Sequence, residues 1–152
     1  MRKFNIKKIL VPTDFSEISA QAFGYAEDIA KQFGAEIHLL HVLEKNPPIL
    51  LIRTFDLTTE SALQKIEDDA RNLLNEFKGK FSKDVNVKEV LLRGNDFEEI
   101  ISYSEKNEID LIVIATHGRT GLLHTLLGSV AEKVIRFSKI PVLVITATKE
   151  EK

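Results

Sequence analysis

A glycine-bearing segment in the second half of the chain has the residue types of an anion-binding site. Residues 116–127 contain Gly118 and Gly121, and Gly128-Ser129 follow where a helical pattern begins. The first turn of a helix has unpaired N–H groups and the positive end of the helix dipole, and glycine lets a ligand approach the backbone. The segment therefore predicts a phosphate or carboxylate site, although a plain turn with Ser129 as the helix cap fits the spacing equally well.

This segment is positioned by a strand before it and a helix after it. Residues 111–115 form an apolar run long enough for one buried strand, and Asp110 precedes it. Val130, Val134 and Phe137 then recur at the spacing of one helix face. The order of strand, loop and helix is typical of ligand-binding turns in α/β proteins, and it also occurs where nothing binds.

The rest of the chain alternates between strands and helices. Strands are predicted at residues 9–13, 37–43, 85–92, 111–115 and 141–146. Helices are predicted around residues 22–33, 63–77, 96–101 and 129–137. Such alternation predicts a parallel sheet with helices on both faces. We expect one domain over residues 1–152, with 147–152 as a polar tail.

Details of the connections carry further predictions. Residues 44–57 include Pro47-Pro48 and are predicted to be irregular, although the apolar run 49–52 should lie on the body of the protein or at an interface. Asp96 with Glu99 resembles a capping box at the start of the third predicted helix. His38 and His41 lie three residues apart on one strand, so they point to opposite faces and cannot bind one metal together. We predict packing or surface histidines.

The composition of the chain limits which classes of function are possible. The chain has 152 residues, no cysteine and a net charge of −2, from 21 basic and 23 acidic residues. A disulfide framework and a cysteine nucleophile are therefore excluded, and the scattered lysines do not favour nucleic-acid binding. The apolar run before Pro12 is too short for a signal peptide, and no run approaches a membrane span. We expect a soluble, cytoplasmic protein without nucleic-acid or membrane partners.

The glycine-bearing segment has a sequence pattern that is specific to one family. THGRTG followed by LLGS resembles the nucleotide-binding segment of the universal stress protein family, whose ATP-binding branch has the pattern Gly-x2-Gly-x9-Gly-Ser/Thr. Gly118, Gly128 and Ser129 match this pattern, whereas Ala115 occupies the first glycine position. The similarity also covers VPTDFSE, LLHV, the Gly94 turn, DLIVIATHG and PVLVI, and so spans nearly the whole chain.

This resemblance implies a fold, a ligand and an assembly. The fold is a single-domain α/β structure with an open parallel five-stranded sheet of order 3-2-1-4-5, in which strands 1 and 4 meet at the topological switch point. The ligand is ATP, with or without Mg²⁺. The assembly is a homodimer through the edge strand, residues 140–146. The implied nucleotide-binding residues are Pro12, Thr13, Asp14, Val42, Ala115, Thr116, His117, Gly118, Arg119, Gly128, Ser129 and Val130.

The resemblance also implies roles for these residues. Asp14 would contact the ribose or a metal-bound phosphate, and a carboxylate suits ribose because it accepts hydroxyl protons. Pro12 and Thr13 would line the adenosine pocket, and the Val42 backbone would meet the adenine edge. The phosphates would be surrounded by Gly118, Arg119, Gly128, Ser129 and Val130. As an alternative, Asp14 caps a turn or helix, and His117 and Arg119 are solvated loop residues.

Three hypotheses for function remain open. The first is a stress-response regulatory protein that binds ATP or AMP. The second is a slow ATPase, although the chain has no GxxxxGK[ST], HExxH, GxSxG or GxGxxG motif and no catalytic residue or metal ligand can be named. The third is a nucleotide-free dimer that works through protein contacts, as in the non-binding branch of the family.

Overall fold

Strands and helices alternate along the chain, as the periodicity predicts. A computed structural model describes residues 3–46, 49–56, 58–116 and 128–147. Its strands are β1 (Lys8–Pro12), β2 (Glu36–Leu43), β3 (Val87–Arg93), β4 (Leu111–Thr116) and β5 (Val142–Thr146). Its helices are α1 (Glu17–Ala20), α2 (Phe23–Phe33), α3 (Ile49–Thr54), α4 (Thr59–Lys78), α5 (Asp96–Lys106) and α6 (Ser129–Phe137).

The five strands form one open sheet in the order β3-β2-β1-β4-β5, and every neighbouring pair is parallel. Ile9 of β1 pairs with Ile37 of β2 on one side and with Leu111 of β4 on the other. The predicted α/β fold class and strand order are therefore confirmed. Because β1 and β4 are neighbours with their helices on opposite faces, a crevice opens at their carboxyl ends.

Alternate residues of each strand enter separate cores on the two faces of the sheet. Ile9 and Val11 of β1 belong to the core that includes Phe23 and Phe77 of helices α2 and α4. Leu10 belongs to the other core, which includes Ile100 of α5 and residues of α6. Fully burying one such side chain stabilises the fold by about 1.5–3 kcal/mol. The continuous apolar runs of β1 and β4 are thus explained by burial on both faces.

The connection between β2 and α4 differs from the prediction. Residues 49–54 were expected to be irregular, yet they form helix α3. The run has only six residues, which is too short to display a helical period, and Ile49 and Leu50 lie outside the core, with 68% and 76% of their surface exposed. Sequence periodicity detects helices whose apolar residues are buried at a regular spacing, and Ile49 and Leu50 are not buried.

Helix ends follow local chemistry with one correction. The helix predicted around residues 22–33 ends at Gly34, which adopts a left-handed φ of 67° after α2. The predicted capping box at Asp96 is wrong by one residue. Asn95 is the cap, its side chain accepting from the N–H of Glu98 at 3.3 Å, and Asp96 is the first residue of α5.

Candidate functional site

A cavity of about 640 Å³ lies at the carboxyl ends of the central strands, a size typical of small-molecule sites. It lies on the sheet face that α5 and α6 cover, and the first residues of both helices line it. Nine of the sequence-predicted site residues surround it: Pro12, Thr13, Asp14, Val42, Ala115, Thr116, Gly128, Ser129 and Val130. His117, Gly118 and Arg119 lie outside the described residues.

The turn after β1 is fixed by side-chain hydrogen bonds. Thr13 Oγ1 accepts from the Phe15 N–H at 3.0 Å and lies 2.8 Å from Ser19 Oγ. Phe15 has a φ of 66°, a left-handed conformation that costs energy in a residue with a bulky side chain. Ser16 then caps α1 by accepting from the Ser19 N–H at 3.0 Å. The network holds the strained turn so that Asp14 faces the cavity.

Asp14 combines the two interpretations of its role. Its Oδ1 accepts from the Ser16 N–H at 2.9 Å, so the residue caps a turn, as the alternative reading of the sequence predicted. It also lines the cavity. Partial burial raises the pKa of its carboxyl, but hydrogen bonds from Ser16 and Ser19 outweigh that effect, and the pKa lies below its ordinary value. The carboxylate is therefore held charged and offers a hydrogen-bond acceptor to the cavity.

His41 is a site residue that the sequence interpretation missed. Its Nδ1–H donates to the Thr13 carbonyl at 2.7 Å, and its ring lies 4.1 Å from the Phe15 ring. Burial lowers the pKa of His41, and the Thr13 carbonyl and Asp14 offset this only in part, so the imidazole is neutral near pH 7. The histidine therefore joins the ends of β1 and β2 beside the cavity. The sequence contains one indication that His41 belongs to the site: it precedes Val42 at the carboxyl end of a predicted strand.

The other wall is formed by the end of β4 and the start of α6. Thr116 Oγ1 accepts from the Gly128 N–H at 2.6 Å, and this bond ties the strand end to the helix cap. Gly128 has a φ of −64°, which any residue adopts, and it offers no side-chain cap to α6. The backbone N–H groups of the first turn of α6 are thus left to other acceptors, a ready arrangement for an anion.

Further residues line the cavity without having been predicted. The apolar ones, which together with Val42 we call the apolar floor, are Ile18, Leu40, Ile100, Ile114 and Ala131. The polar ones are Ser16, Ser19, His41 and Asp96. Sequence order separates them widely, and the sheet topology brings them together. Ligand binding in this cavity would combine an apolar floor, an acceptor at Asp14 and backbone donors at α6.

Two negative findings apply to the described part of the chain. Within residues 3–46, 49–56, 58–116 and 128–147, no group of three or more His, Asp or Glu side chains could hold a metal ion. Over the same residues, no helix is long and apolar enough to cross a membrane.

Comparison with known proteins identifies the family. The sequence profile of the universal stress protein family matches residues 5–146. This chain is a universal stress protein. Among its relatives, universal stress protein MJ0531 of Methanocaldococcus jannaschii is 37% identical over 147 residues, which cover 95% of this chain and 85% of the relative. Universal stress protein MJ0577 of the same organism is 34% identical over 152 residues, covering 91% of this chain and 94% of the relative.

Solved structures agree with the fold of this universal stress protein. The structure of MJ0577 superimposes with a TM-score of 0.73 at 32% identity, covering 95% of this chain and 99% of MJ0577. A universal stress protein in complex with cAMP superimposes with a TM-score of 0.64 at 22% identity, covering 95% and 99% of the two chains. At 22% identity, the comparison with the cAMP complex shows a shared fold and no more.

Proposed function

We propose that this universal stress protein is a regulatory protein of the stress response that binds an adenine nucleotide, ATP, at the switch point between β1 and β4. The observation that supports the proposal is the convergence of nine predicted site residues, from four separate stretches of sequence, on one cavity. The family motif and the cavity wall coincide at Gly128-Ser129, where α6 begins. In this proposal the nucleotide state is the regulatory signal.

The chemistry of the cavity suits each part of ATP. The start of α6 offers backbone N–H groups and a positive dipole end to the phosphates. Asp14 offers a charged hydrogen-bond acceptor to the ribose hydroxyls, or an oxygen ligand to Mg²⁺ that arrives with the phosphates. The apolar floor at Leu40 and Val42 suits the flat faces of adenine.

A thermal-shift experiment tests the proposal. A ligand at 100 times its dissociation constant adds about 2.7 kcal/mol to the free energy of unfolding. For a chain of this size we expect ATP with magnesium to raise the melting temperature by roughly 5–10 °C. If millimolar ATP moves the melting temperature no further than buffer does, the proposal is wrong. Mass spectrometry of the purified protein for bound adenine nucleotide is an independent measurement.

Two glycine variants make the test specific to the cavity. Gly128→Val puts a side chain at the cap of α6 in a backbone conformation that valine tolerates, so it should block the ligand and leave the fold intact. Gly118→Val tests the same family motif. Gly24→Val is the matched control, because a Cβ added at Gly24 meets no atom within 4 Å and Gly24 does not line the cavity. Only the control should keep the ATP-induced shift.

The proposal extends to assembly and location. We propose a homodimer through residues 140–146, the edge strand of the sheet, and we retain the sequence-based prediction of a cytoplasmic protein. The edge position of β5 supports the homodimer, since an apolar strand that is unpaired on one side favours pairing with a second copy.

A further inference from the structure

The start of α6 is tied to the end of β4 by a side-chain hydrogen bond that spans twelve positions of sequence. Thr116 Oγ1 accepts from the Gly128 N–H at 2.6 Å. Thr116 itself is held in the sheet, since it pairs with Thr146 of β5 and its carbonyl accepts from the Ala147 N–H at 3.0 Å. The residue is only 2% exposed. Its hydroxyl is therefore a fixed point on the sheet that holds the cap of α6.

This arrangement leaves three backbone donors at the cavity. The first hydrogen bond within α6 runs from the Glu132 N–H to the Gly128 carbonyl at 2.9 Å. The N–H groups of Ser129, Val130 and Ala131 come before it and have no acceptor within the helix. All three residues line the cavity. Because these N–H groups point out of the N-terminal end of the helix, the orientation of the first turn decides where they point.

Side-chain packing fixes the body of α6 better than its first turn. Ala131 and Val134 are buried in the core on this face of the sheet. Ser129, by contrast, is exposed, and Gly128 has no side chain that could pack or cap the helix. The Thr116 hydroxyl thus supplies the link to the sheet that the cap residue itself cannot supply.

We propose that Thr116 is a positioning residue, whose hydroxyl orients the first turn of α6 for the phosphate groups of the ligand. It acts through the Gly128 backbone. This inference rests on the proposed nucleotide binding and assigns the alignment of its phosphate donors to one side chain. The base and ribose would contact the apolar floor and Asp14, so their binding should not depend on the Thr116 hydroxyl.

Calorimetric titration of ATP with magnesium, and of adenosine, tests this role, because adenosine keeps the base and ribose and has no phosphate. Thr116→Val removes the acceptor and keeps the shape of the side chain, and Thr116→Ala removes it with a smaller side chain. In both variants the ATP affinity should fall about tenfold or more, as expected for weakened hydrogen bonds to a charged group, and the adenosine affinity should change by less than about twofold. Thr116→Ser keeps the oxygen and should keep the wild-type ATP affinity.

A second threonine offers a matched control. Thr58 Oγ1 accepts from the Ser61 N–H at 3.1 Å and so caps α4, and Thr58 does not line the cavity. Thr58→Val therefore removes a hydroxyl from the start of another helix, with a similar loss of helix stabilisation. Its affinities for ATP and adenosine should both equal those of the wild type.

Amide hydrogen exchange measured by NMR without ligand tests the positioning itself. The Gly128 amide should exchange faster in Thr116→Val than in the wild type and in Thr116→Ser, because its acceptor is gone. A contact between Thr116 and the ligand would not cause this difference in the ligand-free protein. Equal exchange in the wild type and Thr116→Val overturns the inference.

The binding outcomes separate this inference from the function on which it rests. A Thr116→Val or Thr116→Ala variant with wild-type ATP affinity overturns the role of Thr116 and leaves nucleotide binding standing. Equal losses of ATP and adenosine affinity in these variants also overturn it, since the whole cavity would then be damaged, and so does a loss in Thr116→Ser as large as in Thr116→Val. A wild-type protein that binds neither ligand overturns both the inference and the proposed function.

Discussion

At the level of single residues, Ala115 lines the cavity near the end of β4. It departs from the family's glycine pattern, yet it lies in regular strand, paired with Ile145 and packed against the core. The positive-φ residues other than glycine are Phe15, Asp56 and Glu108 in the described part of the chain, so alanine is not strained at this position. A glycine would be preferred here only for close approach of the ligand.

We therefore predict that Ala115→Gly binds ATP more tightly than wild type, by up to about tenfold. The same change should lower the free energy of unfolding by roughly 0.5–1 kcal/mol, because glycine in a strand loses more conformational entropy on folding. Calorimetric titration measures the first effect and urea unfolding the second. Equal or weaker ATP affinity in the variant would show that the methyl group does not limit the site.

Single residues also show how much of the cavity lining could be predicted from the sequence. Pro12, Thr13 and Asp14 were predicted because they share one short motif at a strand end. His41 and Asp96 were missed because β2 and the start of α5 reach the cavity only through the order of the strands in the sheet, which no local spacing encodes. Topology had to be known before these two side chains could be assigned to the cavity.

At the level of elements, β5 is an apolar edge strand of the sheet. It pairs with β4 on one side, and Val142, Leu143 and Val144 are only partly buried. Helix α6, which follows β4 in the sequence, adds exposed apolar side chains at Ile135 and Phe137. Unpaired apolar edges are normally covered or charged, and the residues of β5, Val142–Thr146, carry no charge.

We predict that β5 pairs with β5 of a second copy across a two-fold axis. Light scattering at tens of micromolar should give twice the chain mass of 17.2 kDa. Val144→Lys should shift this mass toward the monomer, because a lysine at the edge opposes pairing. Leu50→Lys, on the exposed helix α3, is the matched control and should remain a dimer. A wild-type monomer, or a Val144→Lys dimer with native circular dichroism, would contradict the prediction.

Elements differ in how well the sequence predicts them. The strands and the long helices α2 and α4 were predicted because each buries a face, and burial imposes a period on the sequence. Helix α3 was missed because Ile49 and Leu50 stay exposed and no period is imposed. The short helix α1 was not predicted, because its four residues, Glu17–Ala20, are too few to display a helical period.

At the level of the whole molecule, a buried polar network joins the sheet to α5 away from the cavity. His38 is 2% exposed, with Nδ1 at 2.7 Å from Tyr103 Oη and Nε2 at 2.6 Å from Glu36 Oε1. Asn86 Nδ2 donates to the other oxygen of Glu36 at 2.9 Å. A neutral imidazole satisfies this network by accepting from the tyrosine hydroxyl and donating to the carboxylate. The fold therefore favours neutral His38.

This preference makes the stability of the whole fold depend on pH. Burial lowers the pKa of His38 below the ordinary 6.5, Lys88 and Lys8 lower it further, and Glu36 opposes them only in part. The pKa of His41 is also lowered by burial. Because both histidines bind protons more readily in the unfolded chain, their contribution to stability is complete above pH 6.5 and is lost as pH falls toward the folded-state pKa values.

We predict that the free energy of unfolding falls between about pH 7 and about pH 5, with a slope of up to about 1.4 kcal/mol per pH unit from each histidine. Urea unfolding followed by circular dichroism measures it. His38→Gln should reduce the slope, because glutamine donates to Glu36 without titrating. His41→Gln should reduce it separately, and the double variant should be nearly flat until the carboxyl groups titrate. If the wild type and the double variant lose stability in parallel across this window, the histidines are not its cause.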